Sequence, residues 1–403
     1  MSKTPATGRV PVTLLTGFLG SGKTSLINRL IMDPAMDTVA VFINEFGEIG
    51  IDHHLVERID DALVILESGC LCCTVQGELI TELKALHDRM ARREIPPVSR
   101  VLIETTGLAN PAPVVRALTE DRFVSARFLC DGIVTVVDAV HGRTTLEDHG
   151  EARVQVAMAD RLVLSKTDLA GRAERAAVEA RLTVLNPSAP VLDGAREGGL
   201  GPADLFGGGY YAEEAEPADP RAWVGHAHDH AHAHAHDHDH DHDHPSDVDP
   251  HFGQVVRSFS VRLPGALGWR GFALRLGQVL ARWEGRILRL KGIVAARGRS
   301  DPMAIQCVGR MAYPPVSLSR WPATGPLADG RGVLVVIGEG LTAEDEAAIT
   351  ALLTDCPDDR AALRQAMAIP GLPTRSWLAE RIPLAPPPGM ESDAFVIQPR
   401  YLR

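Results

Sequence analysis

The chain has 403 residues, 45% apolar and 23% charged, with a formal net charge of −11. That length can bury two cores of ordinary globular composition, while the acidic balance argues against a general nucleic-acid binder. No apolar run reaches the ~18 residues of a membrane helix, and MSKTPATGRVPVTLLTGFLG lacks the apolar centre and cleavage site of a secretory signal, so no membrane and a cytoplasmic setting are expected.

In chain order, VPVTLLT (10–16), VAVFIN (39–44), ALVILE (62–67), RVLIET (100–105), GIVTVVDA (132–139) and RLVLSK (161–166) read as buried strands. Segments of helical spacing, Thr24–Ile31, Gln76–Arg93 and Glu174–Leu185, lie between them. Strands apolar on both faces and separated by helices predict an α/β domain with a mostly parallel sheet over residues 1–206. Residues 207–250 turn Gly-, Pro- and acid-rich and then alternate histidine with Ala or Asp: His226, His228, His230, His232, His234, His236, His238, His240, His242 and His244. Having almost nothing to bury, this segment is expected to be a disordered linker. Over 251–355, VVRSFSVRL, ILRLKGIVAA, MAIQCVGRMAY and RGVLVVIGEG read as strands, with WRGFALRLGQVLARW and Thr342–Leu353 as helices, which predicts a smaller α+β domain. The Pro-rich tail 356–403 is left unassigned.

Gly17-Phe18-Leu19-Gly20-Ser21-Gly22-Lys23-Thr24 matches G-x-x-x-x-G-K-[ST], after a strand and before a helix. In that motif the glycines turn backbone N–H groups onto a β-phosphate, lysine reaches the β- and γ-oxygens, and threonine offers a hydroxyl to Mg²⁺. Gly17, Gly20, Ser21, Gly22, Lys23, Thr24 and Ser25 are therefore the expected nucleotide contacts; a glycine-rich turn that merely precedes a lysine is the alternative. VLIETTG (101–107) ends a strand in Glu104, a second candidate Mg²⁺ ligand, and places Gly107 where its N–H can meet a γ-phosphate. Lys23, Thr24 and Glu104 are the candidate catalytic residues. Ser165-Lys166-Thr167-Asp168 stands where a GTPase carries N-K-x-D. The Asp168 carboxylate can accept from the N1–H and N2–H₂ edge of guanine, which adenine lacks, with Lys166 beside it. Serine for asparagine is expected to lose an amide that braces the loop.

Three of the six cysteines, Cys70, Cys72 and Cys73, fall within ESGCLCCTV (67–75). Thiolates in a reducing compartment suit a soft or borderline metal such as Zn²⁺, with a redox pair or simple packing as alternatives. One cluster supplies two or three ligands, short of the four of a closed zinc site, which suits a metal that is handed on. Glu45, Glu48 and Asp52, in INEFGEIGIDHH (43–54), are candidate metal or Mg²⁺ contacts, against a solvated acidic loop. Glu48 and the strand-ending His141 are weaker candidate ligands for the thiol-held metal, and the histidine run is a candidate accessory collector or a spacer.

Together GFLGSGKT, NEFGEIGID, ESGCLCCTV, ETTGLANP and SKTDL resemble, in order, the hallmarks of the CobW family of P-loop GTPases, also described as metallochaperones. LNPSAPV (185–191) resembles the family's guanine-side loop, and WPATGPLADGRGVLVVIGEGL (321–341) its C-terminal domain. The resemblance implies slow hydrolysis of GTP to GDP with Mg²⁺, linked to delivery of zinc or cobalt to a client metalloprotein. A regulatory or nickel-insertion GTPase, or a metal buffer with little turnover, are the alternatives, and a homo-oligomer is left open.

Overall fold

The computed structural model describes residues 8–43, 63–65, 75–206, 255–318, 320–321 and 327–379. The first domain contains strands β1 (Val10–Thr16), β2 (Val39–Ile43), β3 (Leu63–Ile65), β4 (Arg100–Glu104), β5 (Phe128–Asp138), β6 (Arg161–Ser165) and β7 (Val191–Asp193). They form a seven-stranded sheet of order β3-β2-β4-β1-β5-β6-β7, in which every pair of neighbouring strands is parallel. Its helices are α1 (Lys23–Ile31), α2 (Val75–Ala91), α3 (Ala112–Glu120), α4 (Arg122–Ser125), α5 (Gly142–Asp148), α6 (Gly150–Met158), α7 (Arg172–Leu185) and α8 (Pro202–Leu205).

Alternation along each strand divides the apolar side chains between two layers. Leu15, Val41, Leu102, Val136 and Val163 pack with Leu26, Ile27 and Leu30 of α1. Val12, Leu14, Phe42, Ile103, Ile133 and Leu164 pack with helices of the other face, including Leu83, Val115, Leu146 and Leu182. Being covered on both sides is why these strands read as unbroken apolar runs.

The second domain is a six-stranded sheet of β8 (Val256–Arg262), β9 (Ile287–Val294), β10 (Met303–Val308), β11 (Met311–Ala312), β12 (Val316–Ser317) and β13 (Val333–Glu339), all paired antiparallel. MAIQCVGRMAY is thus two strands and not one: the chain reverses at Gly309, whose φ of +53° favours glycine, and Cys307 pairs with Ala312. One face of this sheet carries α9 (Trp269–Arg282), α10 (Ala343–Thr354), α11 (Asp359–Met367) and α12 (Arg375–Ala379). The last two helices lie in the unassigned tail. They are anchored by Trp377, stacked on Trp269 at 5.5 Å, and by Thr374, whose hydroxyl donates to the Ala273 carbonyl at 2.5 Å.

The other face of the second sheet packs on the first domain. Val256, Leu288, Ile293, Ala304, Val333 and Val335 share one core with α6 and α7. Polar groups are buried in this seam. Arg289 donates to the Met158 carbonyl at 2.8 Å and pairs with Asp160, and Lys291 donates to the Ser188 carbonyl at 2.8 Å. Among the described residues no helix is long and apolar enough to cross a membrane.

Burial, with the neighbouring Arg289 charge adding to it, pushes the Lys291 amine down to about 7. Between pH 7 and 10.5 the unfolded chain keeps a proton here that the folded chain has released, so stability rises with pH through that window. We expect wild type to gain on a Lys291→Met variant by up to about 1.4 kcal/mol per pH unit between pH 7 and 10, measured by denaturant unfolding at several pH values.

Candidate nucleotide site

The site begins where β1 runs out. Gly17 has a φ of +144°, and a Cβ there would lie 2.3 Å from the Val136 carbonyl oxygen, so only glycine lets the chain leave the sheet at this point. Gly20 and Gly22 have φ of +71° and +93°, and Gly22 directly precedes α1. The turn therefore ends on a helix N-terminus, whose first-turn N–H groups and dipole favour an anion. Lys23 is buried, with its Nζ donating to the carbonyls of Gly17 at 2.9 Å and Phe18 at 3.3 Å, so its charge lies along the loop. The Ser21 hydroxyl is buried with no hydrogen-bond partner among the described residues. Thr24 is half-buried and Ser25 exposed, both on the first turn of α1.

The end of β6 holds this loop in shape. Ser165 Oγ donates to the Ser21 carbonyl at 2.6 Å, and Lys166 Nζ donates to the Gly20 carbonyl at 2.8 Å and to Asp138 at 2.6 Å. The brace expected to be lost with asparagine is supplied by the serine hydroxyl. Lys166 adopts a φ of +54°, which bends the chain so that its amine reaches back over the loop. Burial raises the Asp138 pKa, but hydrogen bonds from Lys166 and from the amides of His141 and Val140 outweigh it, and the carboxyl sits below its ordinary value.

Asp168 follows on an exposed turn, free of the sheet. Thr167 donates to Asp193 at 2.5 Å, which brings the end of β7 alongside this turn. The last residue of β7 and the two after it, residues 193–195, therefore border the expected guanine side. LNPSAPV does not: residues 185–190 precede β7, which Val191 opens, and so sit at the opposite edge of the sheet. There Asn186 caps α6 and the Ser188 carbonyl takes the bond from Lys291.

Glu104 is buried at the carboxyl end of β4, paired with Leu15 on one side and Ile43 on the other. Thr105 continues that strand, its hydroxyl donating to Thr16 Oγ1 at 2.8 Å. Gly107 follows two residues later, so close to the P-loop that a Cβ would stand 2.7 Å from the Leu19 backbone nitrogen. Thr24 and Glu104, a hydroxyl and a carboxylate, are the hard oxygen donors that suit Mg²⁺. The strand ends thus bring Lys23, Thr24, Glu104, Gly107, Lys166 and Asp168 to one edge.

Ile43 pairs with both Glu104 and Ile65, so Leu15, Glu104, Ile43 and Ile65 form one row across the sheet. Cys70, Cys72 and Cys73, with Glu45, Glu48 and Asp52, lie outside the described residues, as do the histidines from His226 to His244. His141 is exposed at the start of α5 beyond β5, four strand positions and so roughly 19 Å from β3. Its backbone amide bonds Asp138 at 3.1 Å, and among the described residues no cluster of three His, Cys, Asp or Glu could hold a metal.

Asp138 and Gln155 escaped the sequence reading. An acid ending a strand next to β1 is a usable signal for Asp138; Gln155 is a single amide inside the otherwise apolar stretch 154–159, and no spacing rule marks it.

A strand, a glycine turn with a buried lysine, a helix N-terminus and an adjoining strand-end carboxylate define a P-loop nucleotide-binding protein. Residues 11–193 match the family described as CobW/HypB/UreG, nucleotide-binding domain, and residues 256–357 match the cobalamin synthesis protein cobW C-terminal domain. The chain belongs to the CobW family of P-loop GTPases. It is 31% identical over 376 residues to a protein named zinc chaperone CobW from Sinorhizobium, a match covering 86% of this chain and 97% of that one. It is 38% identical over 182 residues to zinc chaperone YjiA of Escherichia coli, covering 45% of this chain and only 56% of that protein. A crystal structure of Zn(II)-bound YjiA GTPase shares the fold, with a TM-score of 0.60 at 24% identity over 86% of this chain and 99% of that one.

Removing the Ser165 hydroxyl leaves the Ser21 carbonyl without that donor and loosens a loop that meets every phosphate-bearing ligand. A Ser165→Ala variant is expected to bind GDP and GTP about fivefold more weakly, both by the same factor, as read from fluorescent-nucleotide titration.

Proposed function

We propose that the protein is a GTP-hydrolysing metallochaperone that carries a divalent transition metal, zinc in preference to cobalt, and passes it to a client metalloprotein. In this reading the P-loop amides and Lys23 bind the β- and γ-phosphates, Thr24 and Glu104 hold Mg²⁺, and Asp168 selects guanine. When bound, the ion neutralises charge on the phosphate oxygens. Lys23 swings from its loop carbonyls to the phosphates, and the Gly107 N–H meets the γ-phosphate. Cys70, Cys72 and Cys73 supply sulfur ligands for the carried metal, with Glu48 and His141 the weaker candidates. The histidines of 226–244 gather metal near them.

One observation supports joining the two activities at one place. The nine residues 66–74, which contain all three clustered cysteines, follow β3 from the same register row that holds Glu104 and Leu15. Three strand spacings separate β3 from the P-loop strand, roughly 14 Å, which a single loop can span. The names of the relatives favour zinc, and the donor types agree, since thiolate with imidazole suits zinc better than magnesium or manganese.

Two single substitutions separate the activities. Lys23→Ala should lower GTP turnover at least roughly 100-fold while zinc still binds in the absence of nucleotide. Cys72→Ala should weaken zinc binding, measured by chelator competition, and leave basal turnover within about twofold. Turnover that survives Lys23→Ala would contradict the assignment, and wild-type turnover indistinguishable from background would favour a metal buffer.

A further inference from the structure

Helix α6 carries a side chain that the roles above leave unused. Gln155 is fully buried, and its Nε2 donates to the Gly107 carbonyl at 3.1 Å and to the Ala109 carbonyl at 3.0 Å. Both neighbours are carbonyl oxygens, so the amide nitrogen must face them. The price of this orientation is that Gln155 Oε1 is buried with no hydrogen-bond partner among the described residues. A buried acceptor left in that condition is uncommon, and such breaches of local rules concentrate where position matters for function.

The helix beneath it is fixed. Asn186 Nδ2 donates to the carbonyls of Val156, Ala157 and Ala159 at 2.8, 3.2 and 2.9 Å, and Arg289 donates to that of Met158 at 2.8 Å. Side chains thus occupy the carbonyls that a helix end leaves unsatisfied. The 105–109 loop is held between this anchor and the P-loop: Thr105 N donates to the Leu15 carbonyl at 2.9 Å, and Gly107 abuts Leu19.

We propose that Gln155 is a positioning residue for the triphosphate: by holding the Gly107 and Ala109 carbonyls back against α6, it fixes the 106–109 turn, in which the Thr106 carbonyl accepts from the Ala109 N–H at 3.1 Å, and so keeps the Gly107 N–H, coplanar with that Thr106 carbonyl, directed at the γ-phosphate. This rests on the GTP reading above. Because GDP has no γ-phosphate, Gln155 acts on the difference between the two nucleotides, whereas Ser165 and Lys166 act on what they share.

The full chain is titrated with GDP and with a non-hydrolysable GTP analogue, as wild type, Gln155→Met and Gln155→Glu. Gln155→Met keeps the length and loses the donor. We expect its GDP affinity to stay within about twofold, which also reports a folded P-loop, while analogue affinity falls roughly tenfold, the order expected for two lost hydrogen bonds. In Gln155→Glu, a carboxylate would face two carbonyls at pH 8, and protonation of the buried acid towards pH 6 restores one donor. Analogue affinity relative to GDP should therefore recover on acidification in Gln155→Glu and stay flat in Gln155→Met. Equal loss for both nucleotides, or no loss for either, overturns the proposal. In wild type, the Gln155 side-chain amide protons should exchange more slowly with the analogue bound than with GDP, and equal rates would likewise overturn it. A wild type that bound neither nucleotide would instead remove the GTP reading, and this inference with it.

Discussion

The phosphate-binding turn depends on two carbonyls being tied down from outside. Ser165 and Lys166, at the end of β6, draw the Ser21 and Gly20 carbonyl oxygens towards themselves. A peptide group is planar, so fixing its oxygen fixes the direction of its N–H. The loop's shape therefore follows from a neighbouring strand as much as from its own glycines. Because the sheet is parallel, every such strand end emerges on the same side, and Glu104, Asp138 and Ser165 meet around the end of β1.

A second constraint joins the domains. The C-terminal sheet is covered by its own helices on one face and by α6 and α7 on the other, so the two domains share apolar core. Burying Arg289 and Asp160 in that seam is costly for each ion alone, and their pairing makes the contact selective about register. The same helix, α6, bears the second domain at its C-terminal end and steadies the Gly107 loop through Gln155.

Much of this was legible in the sequence, for identifiable reasons. β1 was bounded correctly at Val10–Thr16 because it is apolar on both faces and stops at a glycine turn. The P-loop was readable because glycines and lysine at fixed spacing serve backbone chemistry. The tail helices α11 and α12 were not, since their anchorage is long-range: Trp377 reaches Trp269 across more than a hundred positions, leaving no local period. Serine in place of the family's asparagine reads as the loss of a bracing amide, whereas a hydroxyl of the right reach makes the same kind of brace. For 185–191 the resemblance to a guanine-side loop does not say which end of the neighbouring strand faces the ligand. The cysteine segment was clear as chemistry, and the row through Ile65 adds the place from which its chain departs.

If the two proposed activities meet at one place, the triphosphate and the carried metal sense each other, and thermodynamic linkage makes that proposal testable in one quantity. The zinc dissociation constant of the full chain, determined by chelator competition, is compared with a GTP analogue, with GDP and without nucleotide. The account predicts the tightest binding with the analogue, by about 5- to 150-fold over GDP. Identical constants in all three states would contradict it.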